Sequence, residues 1–160
     1  MKIRKLTPEE YPKASALLRH AFPGSNYEVQ LFDNLHKNEK ILHEWICIHR
    51  SKAIAYIAYS NAFNAKKVCG LHLAPLAVAP QMQKQGIGSE LLRFSLRQKG
   101  IMEKPLFVLG DPYFYKKFGF EHCTTPICPF DQNNKHFLSI RNTTSNTFTV
   151  GYEPEFLIGA

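Results

Sequence analysis

The sequence predicts a mixed α+β domain built on a largely antiparallel central sheet, and three observations lead there. Helical periodicity is concentrated at residues 7–36 and in one later stretch that opens near Gly86. Between Trp45 and Val78, apolar runs of strand length follow one another with only short polar breaks, as hairpin-connected strands do. A single β-α-β passage, from Val68 to Leu109, interrupts that scheme. The 160 residues carry no repeat, low-complexity tract or linker, so a single domain over 1–160 is expected, long enough for a real core.

The elements follow in order. Ile3 and Leu6 predict a short first strand ended by Thr7-Pro8. Thr7-Pro8-Glu9-Glu10 reads as a helix start, with a hydroxyl cap, proline at the first helical position and a glutamate at the capping-box place. Tyr11, Ala14, Leu17, Leu18 and Ala21 continue with helical spacing until Pro23-Gly24. A second helix is predicted over Tyr27–His36. Trp45–Ile48 and Ala53–Tyr59 read as strands joined tightly at Arg50-Ser51-Lys52. The apolar run Val68–Val78 is a third, with Pro75 interrupting its ladder. Next comes an amphipathic helix from Gly86 to about Gln98, closed by Gly100. Leu106–Leu109 is a short buried strand, and Gly110-Asp111-Pro112 turns into a brief helix ended by Gly119. Strands are expected near Phe120, at His136–Arg141 and at Thr147–Tyr152, with Thr124–Lys135 as loop.

Composition narrows the function. The net charge of +7 favours anionic partners, but the basic residues are scattered without a stripe, so no nucleic-acid partner is expected. Four cysteines, Cys47, Cys69, Cys123 and Cys128, have neither C-x-x-C nor zinc-finger spacing, and no metal is expected. The charged N-terminus is unlike a signal peptide, and no apolar run is long enough for a membrane span. These point to a cytoplasmic protein with no membrane partner.

The informative stretch is Gln83-Lys84-Gln85-Gly86-Ile87-Gly88-Ser89, where two glycines stand at the start of a helix. A helix N-terminus has free amides and partial positive charge. Glycines let a phosphate reach those amides, with Gln83, Lys84, Gln85 and Ser89 as added donors. The other reading is that the glycines shape a turn or allow close helix–sheet packing. Two common phosphate loops fail here: no Lys-[Ser/Thr] follows Gly88, and Leu91 stands where a dinucleotide fingerprint needs its third glycine.

A third pattern fits. Gln83–Gly88 resembles the Q/R-x-x-G-x-G/A loop of the GNAT superfamily of N-acetyltransferases, Leu76–Pro80 resembles the end of its central strand, and Tyr115–Phe120 resembles its Tyr-x-x-x-Gly-Phe element. Leu109–Pro112 and Gly151-Tyr152-Glu153-Pro154-Glu155-Phe156 are similar to a bacterial branch of that superfamily. The resemblance implies a GNAT-like sheet with a splayed central strand pair, the pantetheine arm of acetyl-CoA lying in the splay and its diphosphate on the loop. Pro75 is then tolerable where the strands part. Cofactor contacts are implied for Leu76, Ala77, Val78, Gln83, Lys84, Gln85, Gly86, Ile87, Gly88 and Ser89.

The implied reaction is attack of a primary amine on the thioester. Tyr115 is the expected proton donor to the departing thiolate, with core packing as its other reading. Many members place a glutamate in the central strands; Gly70–Leu76 has none, which leaves His72 as the candidate base or as a structural histidine. Asp111 is a cofactor contact or an N-cap before Pro112. A backbone N–H among Leu76, Ala77 and Val78 would steady the oxyanion. The missing strand carboxylate keeps open a non-catalytic module that binds acyl-CoA.

Overall fold

In a computed structural model, which describes residues 1–157, one seven-stranded mixed sheet runs in the order β1-β2-β3-β4-β5-β7-β6. Its strands are β1 Lys2–Lys5, β2 Leu42–His49, β3 Lys52–Asn64, β4 Lys67–Val78, β5 Leu106–Leu109, β6 Glu121–His122 and β7 Phe137–Ile140. All pairings are antiparallel except β4 with β5. The helices are α1 Tyr11–Ala21, α2 Tyr27–Lys37, α3 Ile87–Leu96 and α4 Pro112–Tyr115. This is the expected fold class, with flanking helices.

The β2–β3 hairpin turns through Arg50 and Ser51, both at positive φ (51° and 64°), the twist that a tight two-residue connection requires. The core divides across the sheet. Trp45, Ile57, Tyr59, Leu91, Leu92 and Leu106 pack with α3 on one face, while Leu17, Leu18, Phe32, Ile46 and Tyr56 pack with α1 and α2 on the other. The alternation of Ile46 and Cys47, or Tyr56 and Ile57, between these two clusters is the period-two signature of strands covered on both sides.

Two local readings are corrected. The Thr7 capping box does not form: Pro8–Glu10 is a 3₁₀ turn, and the Thr7 hydroxyl donates to Glu10 Oε1 at 3.3 Å instead of capping amides. The Glu10 carboxylate is taken by the Arg4 guanidinium, a stronger, charged donor that pulls its pKa down against burial. Thr147–Tyr152 is not a strand either. It pairs with its neighbours only through isolated bridges, Ile127 with Thr149 and Phe63 with Gly151, the latter on the edge of β3 that β2 leaves free beyond Ser60.

The pairing of β4 with β5 covers only Leu71–Leu106, His72–Phe107 and Leu73–Val108. At its root Gly70 is pressed against the preceding chain; a Cβ there would sit 2.5 Å from Pro105 O, and the Leu71 N–H donates to the same carbonyl at 2.9 Å. Just past Leu73, the β3–β4 register slips between Ile57 and Tyr59, so that Ala74-Pro75 forms a bulge opposite Ala58. From there β4 keeps β3 as its partner and leaves β5, as the splayed pair expected from the sequence does.

Candidate active site

The parted strands open two cavities. One, about 520 Å³, runs beside the start of α3 between Val78, Gly86, Ile87, Gly88 and Ser89 on one bank and Gly110, Asp111 and Phe114 on the other. The second, about 580 Å³, lies toward α2 and the C-terminal segment and includes His72, Ala74, Pro75, Tyr152 and Phe156. Leu76 and Tyr115 line both, so the cavities adjoin at these two side chains.

The two glycines turn out to do different work. Gly86 stands just outside α3 as its N-cap, at φ +82°, a left-handed conformation that glycine adopts freely. A Cβ on Gly86 would meet nothing within 4 Å, whereas one on Gly88 would lie 3.4 Å from Val78 Cγ2. Gly88 therefore brings α3 close to β4, and Gly86 sets the turn and leaves space open. The first helical bond is from Glu90 N–H to Gly86 O at 3.0 Å, so the amides of Ile87, Gly88 and Ser89 have no intrahelical acceptors. Lys84, at φ +63°, adds a second left-handed residue that curls the loop.

Of the expected cofactor contacts, Leu76, Val78, Gln83, Lys84, Gly86, Ile87, Gly88, Ser89 and Asp111 line this groove. Ala77 does not: its side chain belongs to the α1–α2 face, as alternation from Leu76 requires. Gln85 is also outside the groove lining; its amide donates to Gln81 O at 3.3 Å. Gln83 Nε2 donates to Val78 O at 3.1 Å, so that carbonyl already has a partner. Asp111 is the N-cap of α4, accepting from Tyr113 N at 3.0 Å, and remains on the groove wall.

Tyr115 is buried at the junction. Its pKa is pushed up to about 12 by burial, with the Asp111 carboxylate adding to the effect. It is a neutral phenol at any physiological pH. Gly110 makes room for it, since a Cβ at Gly110 would lie 2.6 Å from Tyr115 Cε2.

His72 sits on the wall of the second cavity, almost fully buried. Burial lowers its pKa to about 4, only partly opposed by its bond to Gly151 O, so the ring is neutral. Nε2 lies 3.0 Å from that carbonyl, which can only accept; Nε2 therefore carries the proton. Nδ1 is left with its lone pair, buried and unpartnered among the described residues.

The second cavity brings in residues that no short motif marks. Tyr27 and Leu31 of α2, Phe22 before it, Phe130 of the 124–135 loop, and Tyr152 and Phe156 complete its walls. The C-terminal pair is anchored from outside the cavity. Lys40 Nζ bonds Glu153 Oε1 at 3.1 Å and lies 3.2 Å from Glu155 Oε1, and Asn38 Nδ2 donates to Glu155 Oε2 at 2.7 Å. Tyr27 OH donates to Phe156 O at 2.6 Å, across most of the chain. The signal in the sequence was Gly151–Phe156 itself, whose two glutamates bracket a proline.

A sheet split beyond three paired residues, with a glycine-opened helix start on one side and a buried tyrosine opposite, defines an N-acetyltransferase fold. The model of the acetyltransferase (GNAT) domain matches residues 40–122. The uncharacterized N-acetyltransferase YhbS of Escherichia coli K12 is 30% identical over 126 residues, 76% of this chain and 74% of that protein. The uncharacterized N-acetyltransferase YjhQ of the same organism is 35% identical over 79 residues, only 47% of this chain and 44% of that one. The crystal structure of E. coli YhbS in complex with CoA superposes with a TM-score of 0.87 at 26% identity, covering 98% of this chain and 91% of that one. A GNAT family acetyltransferase of Brucella melitensis in complex with acetyl-CoA has the same fold, with a TM-score of 0.80 at 23% identity over 97% of both chains. The chain belongs to the GNAT acetyltransferase family.

Proposed function

We propose that this protein transfers an acetyl group from acetyl-CoA to a primary amine by direct attack on the thioester. The observation that carries the reading is the junction at Leu76 and Tyr115, where a groove suited to a diphosphate adjoins a cavity suited to an acceptor. The groove residues named above would hold the carrier. The free amides of Ile87, Gly88 and Ser89 supply the anion site, and the CoA complexes of relatives support this use of the fold.

In the reaction the amine nitrogen bonds to the thioester carbonyl carbon. An N–H at the free edge of β4, in Leu76–Val78, steadies the oxygen as it gains charge. Collapse re-forms the carbonyl and breaks the C–S bond, and Tyr115 gives its proton to the leaving thiolate. The nitrogen loses a proton to His72 Nδ1, whose lone pair the Gly151 carbonyl fixes by holding Nε2–H. An imidazole with a pKa near 4 is a weak base, so the amine must reach it unprotonated. Freeing an alkylammonium at neutral pH costs about 4–5 kcal/mol, while holding the reactants together recovers about 7–11 kcal/mol. Unpaired, mostly buried cysteines suit a reducing, cytoplasmic setting.

Thiol release from acetyl-CoA in the presence of amines tests the reading. Turnover that Tyr115→Phe lowers far more than it weakens CoA binding supports it. The weak basicity of His72 favours one other reading, a module that binds acyl-CoA without chemistry. Tight CoA binding with no thiol release for any amine would select that reading.

A further inference from the structure

Among the described residues the second cavity has one charged side chain in its lining. It is Glu28, in the first turn of α2, and none of the described lysines or arginines lines the space. His72 is neutral, as its buried position requires. The remaining surface is dominated by rings, among them Phe22, Tyr27, Phe130, Tyr152 and Phe156. Their polar handles are largely occupied: Tyr27 OH is given to Phe156 O, and Tyr152 OH lies 3.6 Å from Cys128 Sγ.

From this lining we infer that the acceptor is a monoamine with an apolar, ring-sized body, and that Glu28 receives its ammonium on entry, the proton passing to solvent before the nitrogen attacks. The inference rests on the amine-acetylation reading. A buried charge needs a partner, and this cavity has one to offer. An acceptor with several ammonium groups would leave all but one unpaired, and the protein's charge of +7 would repel it at a distance. A free amino acid would bring a carboxylate to a wall with no cation. A hydroxyl-rich sugar would find rings whose donors are engaged elsewhere. A phenyl or similar group finds flat apolar faces, and about 580 Å³ holds such a body with a short alkyl linker. Ser25 Oγ, 2.8 Å from Glu28 Oε1, fixes the carboxylate at the N-terminal end of the cavity wall.

The test pairs turnover with binding. Thiol release with acetyl-CoA is compared for 2-phenylethylamine, ethylamine, spermidine, kanamycin and phenylalanine. Binding of each to the CoA-loaded protein is followed by calorimetry. The expected result is a kcat/KM at least about tenfold higher for 2-phenylethylamine than for any other. Glu28→Gln should raise its KM about tenfold with little change in kcat and none in CoA affinity. Preference for spermidine or kanamycin, or a KM indifferent to Glu28→Gln, overturns the inference while leaving acetyl transfer standing. Binding of 2-phenylethylamine that Glu28→Gln weakens, without thiol release, keeps the amine site but removes acetyl transfer and with it the acceptor role. Neither binding nor turnover with it removes both.

Discussion

The imidazole of His72 and the ring of Tyr152 lie flat on one another, with centroids 3.6 Å apart and planes 3° from parallel. This contact ties the central strand to the C-terminal segment and covers one face of the imidazole. The burial of the ring has a pH signature. Burial depresses the folded pKa of His72 to about 4, below the ordinary 6.5, so the unfolded chain takes up the proton first as pH falls. Stability is intact above pH 6.5 and is lost between there and about pH 4, by up to about 1.4 kcal/mol per pH unit. His43, lowered by burial and then by Lys104 and Lys5, acts in the same sense. His36 is raised, Glu44 outweighing burial, and its contribution is already complete below pH 6.5. Urea unfolding at pH 7, 6 and 5 should therefore show a steeper acid loss in the wild type than in His72→Phe. Parallel losses would mean that His72 is protonated in the fold.

Tyr115→Phe should lower kcat about 100-fold, the lower end for a placed proton donor, and change the CoA Kd less than about threefold. Because burial and Asp111 raise the Tyr115 pKa to about 12, the donor keeps its proton and contributes no alkaline limb to the rate below about pH 11. Gly110→Ala pushes on the same ring from 2.6 Å and should also slow turnover. In the Tyr115→Phe background that second change should add little, since both act through one hydroxyl. Additive losses in the double variant would separate Gly110 from Tyr115.

Gly86 separates backbone from space. Gly86→Val forces a β-branched residue to φ +82°, at about 1–2 kcal/mol for the left-handed conformation, and should damage both stability and CoA affinity. Asparagine tolerates that conformation. Gly86→Asn should keep the melting temperature within about 2 °C yet lose CoA affinity about tenfold, because its side chain enters the room a diphosphate needs. Calorimetry showing wild-type affinity in Gly86→Asn would reduce Gly86 to a turn residue.

Lys40 holds two buried glutamates, so Lys40→Met leaves them uncompensated. The loss expected is on the order of 3 kcal/mol, or about 6–12 °C in melting temperature near pH 7. The pH window follows from the partners. Glu155 is driven up by burial but brought below the ordinary 4.5 by Asn38 and Lys40; its contribution is present above 4.5 and lost as pH falls further. Burial lowers Lys40, and the glutamates more than reverse this; its contribution is full below 10.5 and lost above its raised pKa. The wild-type advantage in thermal melts should thus span pH 5–10 and shrink outside it. An equal melting temperature at pH 7 would show that the glutamates are neutral.

The groove was legible because its parts are local: Gln83–Ser89 and Tyr115–Phe120 are each a few consecutive residues, and Leu106–Leu109 is a short apolar run, buried as read except at Leu109. The second cavity was not, because Tyr27 and Phe156 meet only in the fold, joined by a bond between residues 129 apart in sequence. Thr147–Tyr152 has a strand's composition, but only single residues of it meet a partner, Thr149 at Ile127 and Gly151 at Phe63, one residue before β3 ends. The Thr7 cap failed because Arg4 reaches Glu10 from the adjacent strand. Ser95 escaped notice on the apolar face of α3, where it is buried against the Tyr59 hydroxyl at 2.7 Å. Local chemistry is written in order; convergence is not.

The contact of Gly70 with the Pro105 carbonyl has a consequence at the far end of β4. The two strands behave as the arms of a clothes-peg, and this contact is the fulcrum. Any side chain at Gly70 forces the arms apart where they are joined and swings them at Leu76 and Leu109. The width of the wedge between Leu76 and Leu109 is thus governed from a position outside the lining of both cavities.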